Sequence, residues 1–174
     1  MTVVLDGTIG GAGANTYVLD GPATAWAEAE VDGAVFSALS AAVRAALLVR
    51  ARRRLDEYFA FPGTPVDDVQ ACQWPRIDVE RPTGTFYLTT EIPQAVKDAQ
   101  CALAAWLASQ GTTTDPFAPS DGITSLTVDV ISLDYGTRAP DAAGVAFLDD
   151  RVAGILMRAG CLSGASSAQF RLVR

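Results

Sequence analysis

Leu39, Val43, Leu47, Ala51, Leu55, Tyr58 and Phe59 recur at spacings of three and four, which on a helix sets them along one unbroken apolar stripe. A stripe of that length has to be covered by other elements, so it commits the chain to a helical core. The spacing predicts a helix from about Ser37 or Ser40 to Ala60, with Ser40 suited to the N-cap. Arg44, Arg50, Arg52, Arg53 and Arg54 crowd the flanks of the stripe, and Asp56 and Glu57 follow. Two readings stand side by side. The flanks are either a solvated face with local ion pairs, each worth little, or an interface with an acidic neighbour, for which Arg50, Arg53 and Arg54 are the candidates.

Three further helices are expected around this one. Asp20-Gly21-Pro22 reads as a helix start, since proline is favoured at the first helical position; Ala23 to Val31 should be a short helix that Asp32-Gly33 breaks. Ile92-Pro93 opens another, with Val96, Ala99, Leu103, Ala104 and Leu107 inward and Gly111 closing it. The last covers about Ala146 to Ala159, with Leu148, Val152, Ile155 and Leu156 inward and Gly160 as its stop. Phe61-Pro62-Gly63-Thr64-Pro65 ends the long helix by turn chemistry. Residues 66–90 look irregular, with a short strand at Thr85 to Leu88. Leu126, Val128 and Val130 alternate with Thr127 and Asp129, so a strand or hairpin is expected near 123–135. The fold class is therefore mainly α: a helical bundle over 21–160 with an irregular loop at 61–91, a Gly-rich N-terminal arm at 1–20 and a C-terminal arm at 161–174.

Chemistry is harder to find. Residues 3–18 read VVLDGTIGGAGANTYV, an apolar run opening into glycines. Gly11 and Gly13 fit the first two positions of a dinucleotide fingerprint, but Thr16 stands at the third and β-formers follow where a helix should open. A P-loop needs a lysine, and Lys97 is the single lysine of the chain. The chain has no histidine, which removes the commonest general base and metal ligand together. Gly164-Ala165-Ser166-Ser167-Ala168 approaches a nucleophile elbow without a base to complete it. Asp67/Asp68 and Asp149/Asp150 are sequence neighbours, which diverge on a helix rather than converge on one atom; Asp149 and Asp150 instead suit the start of the last helix. Cys72, Cys101 and Cys161 are widely spaced and read as small buried hydrophobes. No catalytic residue, cofactor or metal is expected, and the chain reads as a non-enzyme.

The formal net charge of 174 residues is −7, and an acidic surface repels nucleic-acid phosphates at long range. No apolar run approaches the roughly 20 residues needed to cross a bilayer. The first residues lack the charged and apolar regions of a signal peptide, so an intracellular location with no membrane partner is expected.

One stretch of the irregular loop stands out: Gln70-Ala71-Cys72-Gln73-Trp74-Pro75-Arg76. Pro75 biases Trp74 towards an extended conformation, and Trp74 and Arg76 then point to one side, where the guanidinium can lie over the indole. A buried Trp74 would pin the loop, making Gln70, Trp74, Pro75 and Arg76 a structural anchor.

Gln70, Trp74, Pro75 and Arg76, followed by Ile92, Pro93, Val96 and Ala99, resemble the Q-x-L-x-W-P-R and I-P-x-x-V-x-x-A segments of the head-to-tail connector (adaptor) proteins of long-tailed bacteriophages, with Cys72 where that family usually has leucine. Asp6-Gly7 and Gly13-Ala14-Asn15-Thr16-Tyr17-Val18 resemble its opening, Leu55-Asp56 the end of its long helix, and Phe170-Arg171-Leu172-Val173-Arg174 its terminus. The resemblance implies a structural virion protein at the neck, assembled in the host cytoplasm. It would form a ring of about twelve copies, as closed symmetric assemblies do. The ring would sit between the portal protein and a stopper or tail-completion protein, with double-stranded DNA passing through. Its interfaces would be Arg50, Arg53 and Arg54 together with the Phe170 to Arg174 tail, which is expected to add as a strand or insert in a groove. The N-terminal arm would bend at Gly7 to Gly13 and order on contact. Related sequences are sometimes labelled single-stranded-DNA-binding and likened to the primosomal protein DnaT, which gives the alternative function of a single-stranded-DNA-binding accessory protein.

Overall fold

The apolar stripe forms the longest helix of the computed structural model, which describes residues 3–109, 125–128, 131–134 and 151–162. In chain order the elements are α1 (Asp20–Ala29), a 3-10 turn (Val31–Gly33), α2 (Ala34–Ser37), α3 (Ala41–Tyr58), β1 (Thr64–Pro65), β2 (Arg76–Ile77), α4 (Gln94–Ser109), β3 (Ser125–Val128), β4 (Ile131–Asp134) and α5 (Ala153–Arg158). The molecule is mainly helical. β3 and β4 pair antiparallel, Leu126 opposite Leu133 and Val128 opposite Ile131, so the expected β element is a hairpin.

α3 packs against α4, and α4 in turn meets α5, α2 and α1. Leu47, Leu48, Ala51 and Leu55 of α3 are buried, as are Val96, Ala99, Leu103, Ala104 and Leu107 of α4 and Val152 and Leu156 beside and within α5. Full burial of each leucine contributes about 1.5–3 kcal/mol. Ser40 sits at the N-cap of α3 with extended backbone, but its hydroxyl makes no capping bond; its carbonyl accepts from the Val43 and Arg44 amides at 3.0 Å. The break after α1 has a steric cause. A Cβ on Gly33 would lie 1.8 Å from the Ala27 carbonyl oxygen, so the chain turns back over α1 only with glycine there. That turn leads into α2, an element the sequence did not reveal.

Two expectations change. The Thr85 to Leu88 run is not a strand: the turn through Thr83 and Gly84 is closed by the Arg81 amide on Thr85 at 2.6 Å. Pairing stops at a single bridge, Glu80 with Phe86. Phe86 and Leu88 consequently stay exposed.

The second change concerns the N-terminal segment, read as a pliable arm. Asp6 and Asn15 close it into a loop: the Asn15 amide donates to the Asp6 carbonyl at 2.8 Å, and the Asp6 amide donates to Asn15 Oδ1 at 2.9 Å. Asn15 Nδ2 also donates to the Val4 carbonyl at 2.9 Å. Gly10, at φ +70°, makes the turn between them. Ala14, Thr16, Tyr17 and Val18 then enter the core; they form no strand. The glycines serve turn geometry in a folded segment.

Residues 1–2, 110–124, 129–130, 135–150 and 163–174 lie outside the described residues. The Gly111 stop, the polar loop from Thr112, the Ala146 start of the last helix, Asp149/Asp150, Ser166 and the Phe170 to Arg174 tail all fall there.

Candidate functional site

Two polar networks fix the helices on which any surface site depends. Gln100 on α4 is fully buried. Its Oε1 accepts from the Tyr17 amide at 2.9 Å, and its Nε2 donates to Thr16 Oγ1 at 2.7 Å and to the Leu48 carbonyl at 2.8 Å. One side chain therefore ties the N-terminal segment, α3 and α4 together, with its amide satisfied as burial requires.

The second network centres on Asp56. The Tyr17 hydroxyl donates to its carboxylate, Arg52 donates at 3.0 Å, and the Gln73 amide donates at 3.3 Å. Burial pushes the Asp56 carboxyl above its ordinary value, opposed by those three donors. Burial, then the Asp56 charge, pushes the Tyr17 phenol well up. Arg44 makes a comparable tie at the other end of α3, with Nε 2.7 Å from Asp20 Oδ1 and the second nitrogen 2.8 Å from Oδ2. Hydrogen bonding to Arg44 holds Asp20 below the usual range.

The Gln70–Arg76 stretch is positioned by the same principle. Trp74 is 1% exposed and meets Phe61 and Tyr87 edge-on, each at 5.9 Å between centroids. The Trp74–Pro75 peptide is cis, and the Pro75 carbonyl accepts from the Val66 amide. Gln70 Nε2 donates to the Cys72 and Pro75 carbonyls at 2.7 and 3.1 Å. The expected stacking of Arg76 on Trp74 does not occur. Arg76 is buried and donates to the Pro62 and Gly63 carbonyls at 2.7 Å each, and to the Gln73 carbonyl and Oε1 at 3.1 and 2.8 Å. Four hydrogen bonds from the guanidinium outweigh one contact with a ring face. Desolvation lowers its pKa, yet it remains a cation that fastens the loop. Trp74 and Arg76, buried members of this stretch, are committed to internal contacts.

Arg50, Arg53 and Arg54 sit differently. With Val3, Asn15, Ala46, Val49 and Glu57 they line an open depression of about 670 Å³ on the outer side of α3. Arg54 donates to Glu57 at 3.2 Å, and its guanidinium lies 5.9 Å from the ring centre of Tyr58, which is 47% exposed. Arg50, Arg54 and Tyr58 are spaced by four, hence one above another along the helix, over about 12 Å at 1.5 Å per residue. The structure thus brings the three candidate arginines together and adds Tyr58, which the sequence reading placed on the apolar stripe. Its position at the stripe's edge, four residues after Arg54, was the available signal. Such a surface offers planar donors for anionic oxygens beside an exposed aromatic ring.

A family model described as "putative DnaT-like ssDNA binding protein" matches residues 1–174. No curated protein and no solved structure matches the chain. The family match overturns the head-to-tail connector reading, with the virion, portal and ring-assembly roles attached to it, and agrees with the alternative.

Proposed function

Because the chain belongs to the DnaT-like ssDNA-binding family over its whole length, we propose that it is a non-catalytic accessory protein that binds single-stranded DNA on the outer face of α3. Arg50, Arg53 and Arg54 hold successive backbone phosphates, and Tyr58 receives a base. The observation that carries this is the grouping of three guanidiniums and an exposed aromatic on one helix face, the combination that sequence-tolerant single-strand binding uses. The net charge of −7 is compatible with such a site: phosphates are met at one local patch, while the rest of the molecule repels duplex and strand alike. Binding is therefore strongly salt-dependent.

Neutralising about three phosphates on a single strand gives a slope near −2 in log affinity against log salt. Titration of a fluorescent oligonucleotide at several salt concentrations should show that slope for the wild type. Arg50→Ala/Arg53→Ala/Arg54→Ala should flatten it without unfolding the protein. A wild type that shows no binding at low salt, or a triple variant with an unchanged slope, refutes the assignment.

A further inference from the structure

A second cleft lies where the N-terminal loop, α1 and the start of α4 meet. It has a volume of about 310 Å³ and is walled by Ile9, Tyr17, Leu19, Trp26 and Ile92, with Lys97 and Asp98 among its polar lining. Its composition differs from that of the arginine face. Ile9 and Leu19 are 48% and 49% exposed, large apolar side chains left open beside a half-buried tryptophan. The single lysine of the chain stands there and makes no ion pair among the described residues. Gln94 Nε2 donates to Asp98 Oδ1 at 2.9 Å, which orients that carboxylate at the cleft. Arg151 lies 6.0 Å from the Trp26 ring centre and donates to Glu30 at 3.0 Å, so the indole is braced from outside the cleft.

An apolar slot with an aromatic wall, one cationic donor and one carboxylate acceptor suits a flat heterocycle with a mixed donor–acceptor edge. We propose that this cleft is a nucleobase pocket: Trp26, Ile9 and Leu19 contact the ring of one base, Lys97 donates to a ring acceptor or the adjoining phosphate, and Asp98 accepts from a ring N–H or amino group. Every base presents both an acceptor and a donor on its pairing edge, so the pocket takes any base with modest preference. This inference rests on the single-strand reading, to which it adds a second contact made through a base rather than through phosphates.

The test uses the full chain and two probes. The first is a nucleoside 5′-monophosphate, followed by tryptophan fluorescence, with deoxyribose 5-phosphate as the control lacking a base. Saturable quenching by the nucleotide alone is expected. It should disappear in Trp26→Phe, and Lys97→Gln should weaken it about tenfold, the scale of one base contact; Lys97→Gln changes a partly exposed side chain and leaves the fold intact. The second probe is a single strand of about fifteen residues, within the usual site size, compared with the same strand made abasic throughout. No saturable quenching, quenching unaltered in Trp26→Phe, or equal response to deoxyribose 5-phosphate overturns the pocket. Equal binding of both strands also overturns it and leaves the arginine-face reading standing. Nucleotide binding with neither strand bound does the reverse: the pocket holds and the single-strand function falls.

Discussion

On one flank of α3, Arg44 and Arg52 hold Asp20 and Asp56 at 2.7 and 3.0 Å; on the other, Arg50, Arg53 and Arg54 line a depression whose carboxylate is Glu57. The residue type is constant and the helix is the same. What differs is the partner. The Asp56 side chain is 11% exposed and accepts from the Tyr17 hydroxyl and the Gln73 amide as well as from Arg52, so its charge belongs to the interior. The Glu57 side chain is 60% exposed, and a solvated pair of this kind contributes under about 1 kcal/mol. A phosphate can compete for Arg54 there, whereas nothing in solution can reach Asp56 on equal terms. The division between scaffold and surface runs along a single helix and is set by the depth of the acid, not by the base.

The contrast breaks most visibly at Arg52. Arg52→Ala leaves Asp56 buried without its cation and should cost about 3 kcal/mol, read as a lowered denaturation midpoint. Single-strand affinity per folded molecule should be unchanged. If affinity falls with stability intact, the two flanks have been assigned the wrong way round.

Tyr58→Ala should do the opposite: a loss of about tenfold in affinity from the missing base contact, with the salt slope and melting temperature held. A changed slope would mean that the tyrosine only positions Arg54.

The smallest effect separates the two acids of the scaffold flank. Folding lowers the Asp20 pKa below 3.8, so its pairing stabilises the protein above that value and is lost as pH falls through the lowered folded value. Folding raises the Asp56 pKa above 3.8; the native state then takes up a proton before the unfolded chain does, and the Asp56 contribution becomes more favourable as pH drops towards 3.8. Melting curves of Asp20→Asn and Asp56→Asn between about pH 3 and pH 6 should deviate from the wild type in opposite senses. Deviations of one sign would contradict the burial difference between the two sites.

Much of the scaffold was legible because periodicity reports burial directly. Leu47, Ala51 and Leu55 on α3 and Val96, Leu103 and Leu107 on α4 recur at helical spacing, and they are buried. Leu39 and Val43, earlier on the same stripe, are only half-buried, so periodicity alone does not say how completely a stripe is covered. Gln100 was invisible. A glutamine on an apolar stripe carries no local sign of its partners at Thr16, Tyr17 and Leu48, all supplied by distant segments. The same blindness turned the N-terminal residues into an arm: glycine content reports permitted turns, not what closes them, and the closing atoms belong to Asp6 and Asn15. For the candidate site, the three arginines were legible as a group from their spacing. Arg76 was set apart from them as a loop anchor, but its partners were not legible, since the carbonyls of Pro62, Gly63 and Gln73 converge on it only in space.

Gln100 also sets an order of events on the ribosome. The Tyr17 amide is separated from the Gln100 oxygen by 83 residues, so at about 5–20 residues per second synthesis leaves the N-terminal segment roughly ten seconds without the partner that holds it. During that interval Thr16 and Tyr17 are exposed nascent chain, within reach of chaperones and proteases. The docking of this segment is therefore among the late steps of maturation, although its residues are made well before their partner.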